Sequence, residues 1–165
     1  MTEGKSDPVA RVQSALDALE LGIQVQTFDV PTSTAQEAAD AIGCPLGAIV
    51  KSLCFLVDET LVLVLAAGDR RVDTKVLRQI YGVSKRKCRI ADPETVLRIT
   101  GFAIGGVAPV GHLEPLTTLI DDSLSRFETV YAAAGTGNSI FGIPYATLVE
   151  VTAGQVHELA KETPA

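Results

Sequence analysis

Lys51 is the residue of this chain best placed to do chemistry. It lies in Ala48-Ile49-Val50-Lys51-Ser52-Leu53-Cys54-Phe55-Leu56-Val57, a run apolar on both faces, as in a strand at the centre of a sheet. Alternation puts its side chain with Ile49, Leu53, Phe55 and Val57. Lysine is almost never buried without a partner. The ammonium must therefore meet an anion, a hydrogen-bonding ligand or a wet cleft, unless it snorkels to solvent from an edge position. A second feature is Gly101-Phe102-Ala103-Ile104-Gly105-Gly106-Val107-Ala108-Pro109-Val110-Gly111-His112, an apolar run broken by four glycines and a proline. Glycine weakens regular structure, so this density marks either a backbone held open for close approach or a plain turn. Pro109 fixes one φ and stiffens the segment.

Other chemistry is poorly supplied. There is no G-x-S-x-G elbow. His112 could act as a base, yet no acid is in view to orient it, and His157 reads as structural or exposed. Gly135-x-Gly137 with Gly142 does not fit the dinucleotide fingerprint. Cys44, Cys54 and Cys88 are odd in number with no C-x-x-C, so no structural zinc is expected. Cys54 reads as a small hydrophobe within its strand. What remains is mild: backbone donors, one lysine and a water, with no cofactor.

Several elements must position these groups. Asp7-Pro8 predicts a helix ended by Gly22, with Val12 and Leu16 in its apolar stripe. A strand is expected over Gln24–Val30. Thr34 and Glu37 form a capping box for a helix closed by Gly43. Ile49–Val57 and Leu61–Ala67 read as a hairpin turning at Asp58-Glu59-Thr60. Asp73 and Asp92-Pro93 start two further helices, ending near Gly82 and Gly101. Leu116–Asp121, Thr129–Ala134 and Ile140–Ile143 read as strands, and Pro144 begins a final helix toward Thr152. The mixture is irregular, which predicts an α+β fold: a single domain over 1–165, with a mixed central sheet and flanking helices.

At 165 residues, 47% hydrophobic and 21% charged, the chain has the makings of one globular core. No apolar run is long enough to span a membrane, and Met1–Val9 lacks a signal-peptide character. A cytoplasmic location is therefore expected. The net charge is −6, yet Arg70 to Arg89 holds eight cations against Asp73 alone, +7, leaving −13 elsewhere. Such asymmetry predicts a basic face for a polyanion, the alternative being a solvated helix and turn.

Together, Ile49-Val50-Lys51-Ser52-Leu53, the Gly101–Gly111 run and Ala133-Ala134-Gly135 resemble the YbaK family. That family includes the editing insertion of bacterial prolyl-tRNA synthetase and free-standing trans-editing aminoacyl-tRNA deacylases. The resemblance covers about 9–156. It implies hydrolysis of the ester joining a wrong, small amino acid such as alanine or cysteine to proline tRNA, with prolyl-tRNA synthetase as a further partner. The family's lysine falls on Lys51 and its G-x-x-x-P loop on Gly105, Gly106 and Pro109. Substrate contacts are then expected from Thr34, Ser52, Val107, Ala108, Gly111, His112, Gly135 and Thr136. Arg70, Arg71, Lys75, Arg78, Lys85, Arg86 and Lys87 would hold tRNA. Where some members place a pocket histidine, this chain has Thr136, Asn138 and Ser139. A non-catalytic tRNA- or protein-binding module of the same fold is the alternative.

Overall fold

Helix α1 (Pro8–Ala18) starts where Asp7 caps the Ala10 amide at 3.1 Å, and it buries Val12 and Leu16. The computed structural model describes residues 7–162. The helix ends short of Gly22, because Glu20 and Gly22 take positive φ and turn the chain back. Of the strand expected over 24–30, only β1 (Gln26–Thr27) forms. The chain beyond it is gripped by a later loop instead, through Phe28 N to Asn138 O (2.9 Å) and Thr32 N to Gly137 O (2.7 Å).

Helix α2 (Ala35–Ile42) carries the expected reciprocal box, with Glu37 N on Thr34 Oγ1 and Thr34 N on Glu37 Oε1, both 3.1 Å. Gly43 closes it at φ +81°. Thr34→Ala should cost about 1 kcal/mol, read as a lowered urea midpoint at unchanged m-value.

Strands β2 (Val50–Val57) and β3 (Thr60–Ala67) pair antiparallel along their whole length. Their two-residue turn, Asp58-Glu59, holds φ of +50° and +69°, the twist that suits a tight hairpin. Then follow β4 (Arg70–Val72), α3 (Thr74–Tyr81), β5 (Cys88–Ile90) and α4 (Pro93–Thr100). The remainder is β6 (Thr117–Asp121), β7 (Thr129–Ala133), β8 (Ser139–Pro144), α5 (Tyr145–Thr152), β9 (Gln155–His157) and β10 (Ala160–Glu162).

The central sheet runs β5-β2-β3-β6-β9, with β3, β6 and β9 parallel and β5, β2 and β3 antiparallel. It is mixed, as the sequence predicts. Two smaller sheets, β1-β8-β7 and β10-β4, complete the fold. One face of the central sheet packs Phe55, Val57 and Leu119 against Leu77 of α3. The other packs Leu56, Leu63 and Ile120 against Phe102, Val107 and Phe141. Asp121, fully buried at the end of β6, accepts from Leu159 N (2.7 Å) and Ala160 N (2.8 Å), which seats β10 against β4. Among the described residues no helix is long and apolar enough to cross a membrane.

Candidate functional site

The outer edge of β2 is covered at one end by β5, from Phe55 onward, and touched at the other by β7 through the Ile49–Tyr131 bridge. Between them lies a cavity of about 280 Å³. Its walls come from Thr32 and Thr34 before α2, Lys51 and Ser52 on β2, and Gly105 and Val107 in the glycine-rich loop. Lys51 is half-buried, and its ammonium donates to the Arg70 carbonyl oxygen of β4. Burial pushes its pKa below the ordinary lysine value, and the charge of Asp69 opposes that shift. Arg126 grips Asp69 with two hydrogen bonds of 3.0 and 2.7 Å, which holds the carboxyl below its usual range.

The glycine loop begins where Gly101 ends α4 at φ +82°. Gly106 N donates to Ala103 O at 3.0 Å, closing a turn with Gly105 at φ +98° and Ile104 exposed at its tip. A positive φ at the third turn position is what glycine supplies without strain. Arg11 of α1 ties both ends of the loop, donating to Gly101 O (2.7 Å) and Gly111 O (2.9 Å) while its guanidinium lies 4.5 Å from the Phe102 ring centroid.

His112 meets Phe102 edge-on and donates from Nε2 to Ala108 O at 2.7 Å. Burial depresses its pKa, and the Arg11 charge acts in the same direction. The unfolded chain therefore takes up the proton more readily, so this histidine's stabilising contribution is complete above about pH 6.5 and declines as pH falls. His112→Gln should flatten that acid-side decline, measured by denaturation at pH 7.5 and 5.5.

Of the residues predicted for the site, Thr34, Lys51, Ser52, Gly105 and Val107 line the cavity. Gly106 does not. Its amide is spent in the turn, its carbonyl accepts Gly135 N at 2.9 Å, and an added Cβ would lie 2.8 Å from the Thr136 backbone. It is a crossing point for two loops. Ala108 and Pro109 are buried away from the cavity lining, and Gly111 and His112 serve the Arg11 and Phe102 cluster. Gly135 takes φ +110°, and an added Cβ there would lie 2.8 Å from the Pro8 backbone. Thr136 spends its hydroxyl on Asn138 (2.8 Å) and Ser139 (2.7 Å). That loop shapes the cavity only indirectly, by holding Thr32.

Thr32, Ser33, Ile104 and Tyr131 also line the cavity and were not foreseen. The hydroxyl run Thr32-Ser33-Thr34 was a usable signal for the first two. Tyr131 had none, since it depends on β7 lying beside β2.

The basic stretch meets more acids in space than along the chain. Lys87 pairs with Asp58 (3.6 Å), Arg89 with Glu59 (3.4 Å), and Arg70 with Asp69 (3.7 Å) and Glu162 (3.8 Å). Arg78 is half-buried with its Nε enclosed. Arg71, Lys75, Lys85 and Arg86 remain exposed with no ion pair among the described residues. Of the seven cations expected to hold tRNA, four are thus exposed and unpaired among the described residues.

The hairpin-centred mixed sheet, with its lysine and glycine turn on one small cavity, belongs to a chain of a known family. Residues 29–151 match the model of that family, the aminoacyl-tRNA editing domain, and the chain belongs to it. The uncharacterised protein YwhH of Bacillus subtilis (strain 168) is 38% identical over 133 residues, covering 80% of this chain and 83% of that protein. Proline–tRNA ligase of Xanthomonas campestris pv. campestris (strain 8004) is 29% identical over 145 residues, 84% of this chain but only 25% of the ligase. A crystal structure described as a candidate trans-editing enzyme for prolyl-tRNA synthetase superposes with a TM-score of 0.88 at 39% identity, covering 94% of this chain and 98% of that one.

Proposed function

We propose that the chain is a trans-editing hydrolase that removes a small, wrongly attached amino acid, such as alanine or cysteine, from proline tRNA. The observation that carries this reading is that Lys51 and Gly105 line the same cavity. A synthetic site separates amino acids differing by one methylene by only about 1–3 kcal/mol, so a second, smaller hydrolytic site is needed for accuracy. At about 280 Å³ this cavity lies at the small end of ligand sites, which suits a short acyl group.

The reaction is ester hydrolysis. Water adds to the ester carbonyl carbon, the oxyanion collapses, and the ribose oxygen leaves with a proton, giving free amino acid and tRNA. The chain's part is to orient the ester and stabilise charge. The ammonium of Lys51, a residue that lines the cavity and donates to the Arg70 carbonyl, anchors the terminal phosphate or the ester oxygens. With Gly106 N already engaged, Gly105 N–H is the loop's donor toward the oxyanion. The unpaired cations Arg71, Lys75, Lys85 and Arg86 take tRNA phosphates. Because the homologous segment is about a quarter of the proline–tRNA ligase above, action alongside prolyl-tRNA synthetase is part of the proposal.

The test is a panel of alanyl-, cysteinyl- and seryl-proline tRNAs incubated with the purified protein. Release of amino acid well above the buffer rate is expected, and none above it ends the hydrolase reading. The same four cations also suit a binding module without turnover. In that case tRNA would bind with a log–log salt slope of about −0.7 to −0.9 per phosphate contact, Lys51 would be dispensable, and charge reversal at Lys85 and Arg86 would abolish binding.

A further inference from the structure

The turn between β3 and β4, Gly68-Asp69, is held at several points. Gly68 N donates to Ile49 O (2.8 Å), just before β2 begins. Asp69 takes both of its hydrogen bonds from Arg126 in a forked pair, and Arg126 is itself fixed. Its Nε donates to Ser123 O at 2.6 Å, and its guanidinium carbon lies 5.1 Å from the Phe127 ring centroid. The pair packs over Leu46–Ala48, the single helical turn that leads into β2. An added Cβ at Gly47 would lie 2.9 Å from both Arg126 Nη2 and Asp69 Oδ2, so a glycine makes room for the pair. The two side chains are 36% and 35% exposed, and ion pairs so open to water add little to stability. This much fixing of one carboxylate points to a role in geometry.

What the turn presents is the residue after it. Arg70 O accepts the ammonium of Lys51, and Lys51 lines the cavity. An ammonium rides on a flexible stem, so it keeps one place only where a fixed partner holds it. For Lys51 that partner is a backbone carbonyl next to Asp69. The Asp69 charge also opposes the effect of burial on Lys51. The other charges around the turn are Arg70 and Arg126 on Asp69, Glu162 on Arg70, and Asp121 near Arg126. Asp69 itself is not among the residues that line the cavity.

We propose that Asp69, gripped by Arg126, is the positioning residue for Lys51: it fixes the turn whose Arg70 carbonyl receives the ammonium, and it is that ammonium's counter-charge. The effect on rate rests on the hydrolase reading above, whereas the hold on Lys51 can be measured with no reaction at all. Asp69 acts through Lys51 and not on the ester.

Asp69→Asn keeps the shape and one acceptor for Arg126 and removes the charge. In single-turnover reactions with alanyl-proline tRNA at saturating enzyme, it should slow hydrolysis about tenfold. The enzyme concentration giving half the maximal rate should not change, because the exposed cations are untouched. The second readout is the NMR resonance of Lys51 Cε, assigned by its loss in Lys51→Met and followed through its alkaline titration. In Asp69→Asn that transition should move to lower pH, since a nearby carboxylate favours the charged ammonium. Arg126→Gln leaves the carboxylate and loosens the turn, so it should slow the reaction without moving the transition to lower pH. Asp69→Asn with a rate within twofold of wild type, or with the Lys51 transition unmoved, overturns the proposal. Should Asp69→Asn fail to fold, Arg126→Gln decides: a slowed reaction at unchanged half-maximal concentration supports the proposal, and an unaltered rate overturns it. If the wild type cleaves no ester, the hydrolase reading falls and the titration alone decides whether Asp69 holds Lys51.

Discussion

Replacing Lys51 by methionine is expected to slow hydrolysis of a mischarged proline tRNA by about 10²-fold or more, with the fold intact. Methionine keeps the aliphatic stem that packs at the β2 edge and removes only the charged donor. A single preorganised donor facing developing negative charge is worth about 3 kcal/mol in a water-poor site, and the proposed function gives that part to the ammonium of half-buried Lys51. Lys51→Arg should not recover the rate, because a planar guanidinium cannot occupy the place of a compact ammonium bonded to the Arg70 carbonyl. Single-turnover rates at saturating enzyme, with melting temperatures alongside, make the measurement. A rate within twofold of wild type would take Lys51 out of the site.

Asp121→Ala is expected to be the most damaging single change to stability, about 3–5 kcal/mol. The carboxylate is fully buried and accepts from the amides of Leu159, Ala160 and Ser123 and from the Ser123 hydroxyl. Alanine would leave those donors without an acceptor. Asp121→Asn keeps an acceptor for Leu159 and Ala160 but turns a donor toward one side, so a smaller loss is expected. Urea denaturation reads the size of the effect, and hydrogen exchange at the Leu159 and Ala160 amides locates it. Because β10 pairs with β4, and β4 supplies the Arg70 carbonyl to Lys51, loosening at Asp121 should also reach Lys51.

How much of this was legible depended on how local each determinant is. Asp7-Pro8, the Thr34 and Glu37 box, and Asp92-Pro93 each place a helix start using residues within one turn. The β2–β3 hairpin follows from two apolar runs with a tight turn. Lys51 and Gly105 stood out because a lysine in an oily strand and a glycine in an oily loop each break a local rule. The strands β4, β9 and β10 were not legible. Each has three residues, too few for a pattern, and exists through partners distant along the chain. The strand predicted at Gln24–Val30 keeps only Gln26–Thr27, and beyond it the Phe28 and Thr32 amides donate to the Asn138 and Gly137 carbonyls of a later loop. Gly106 and Gly105 look equivalent in sequence, yet only the fold shows that one faces the cavity and the other a second loop. The charge count likewise could not show that Asp58, Glu59 and Glu162 come to the cations through the hairpin and β10.

The tie that Arg11 makes to Gly101 and Gly111 bears on how this unit can be cut down. The stretch matched by the family model, 29–151, omits both Arg11, which ties the two ends of the glycine loop, and the short ribbon at 160–162. A fragment trimmed to the homologous limits would keep every cavity-lining side chain and lose the girdle that holds them. The smallest stable unit is therefore expected to be wider than the segment the family model matches.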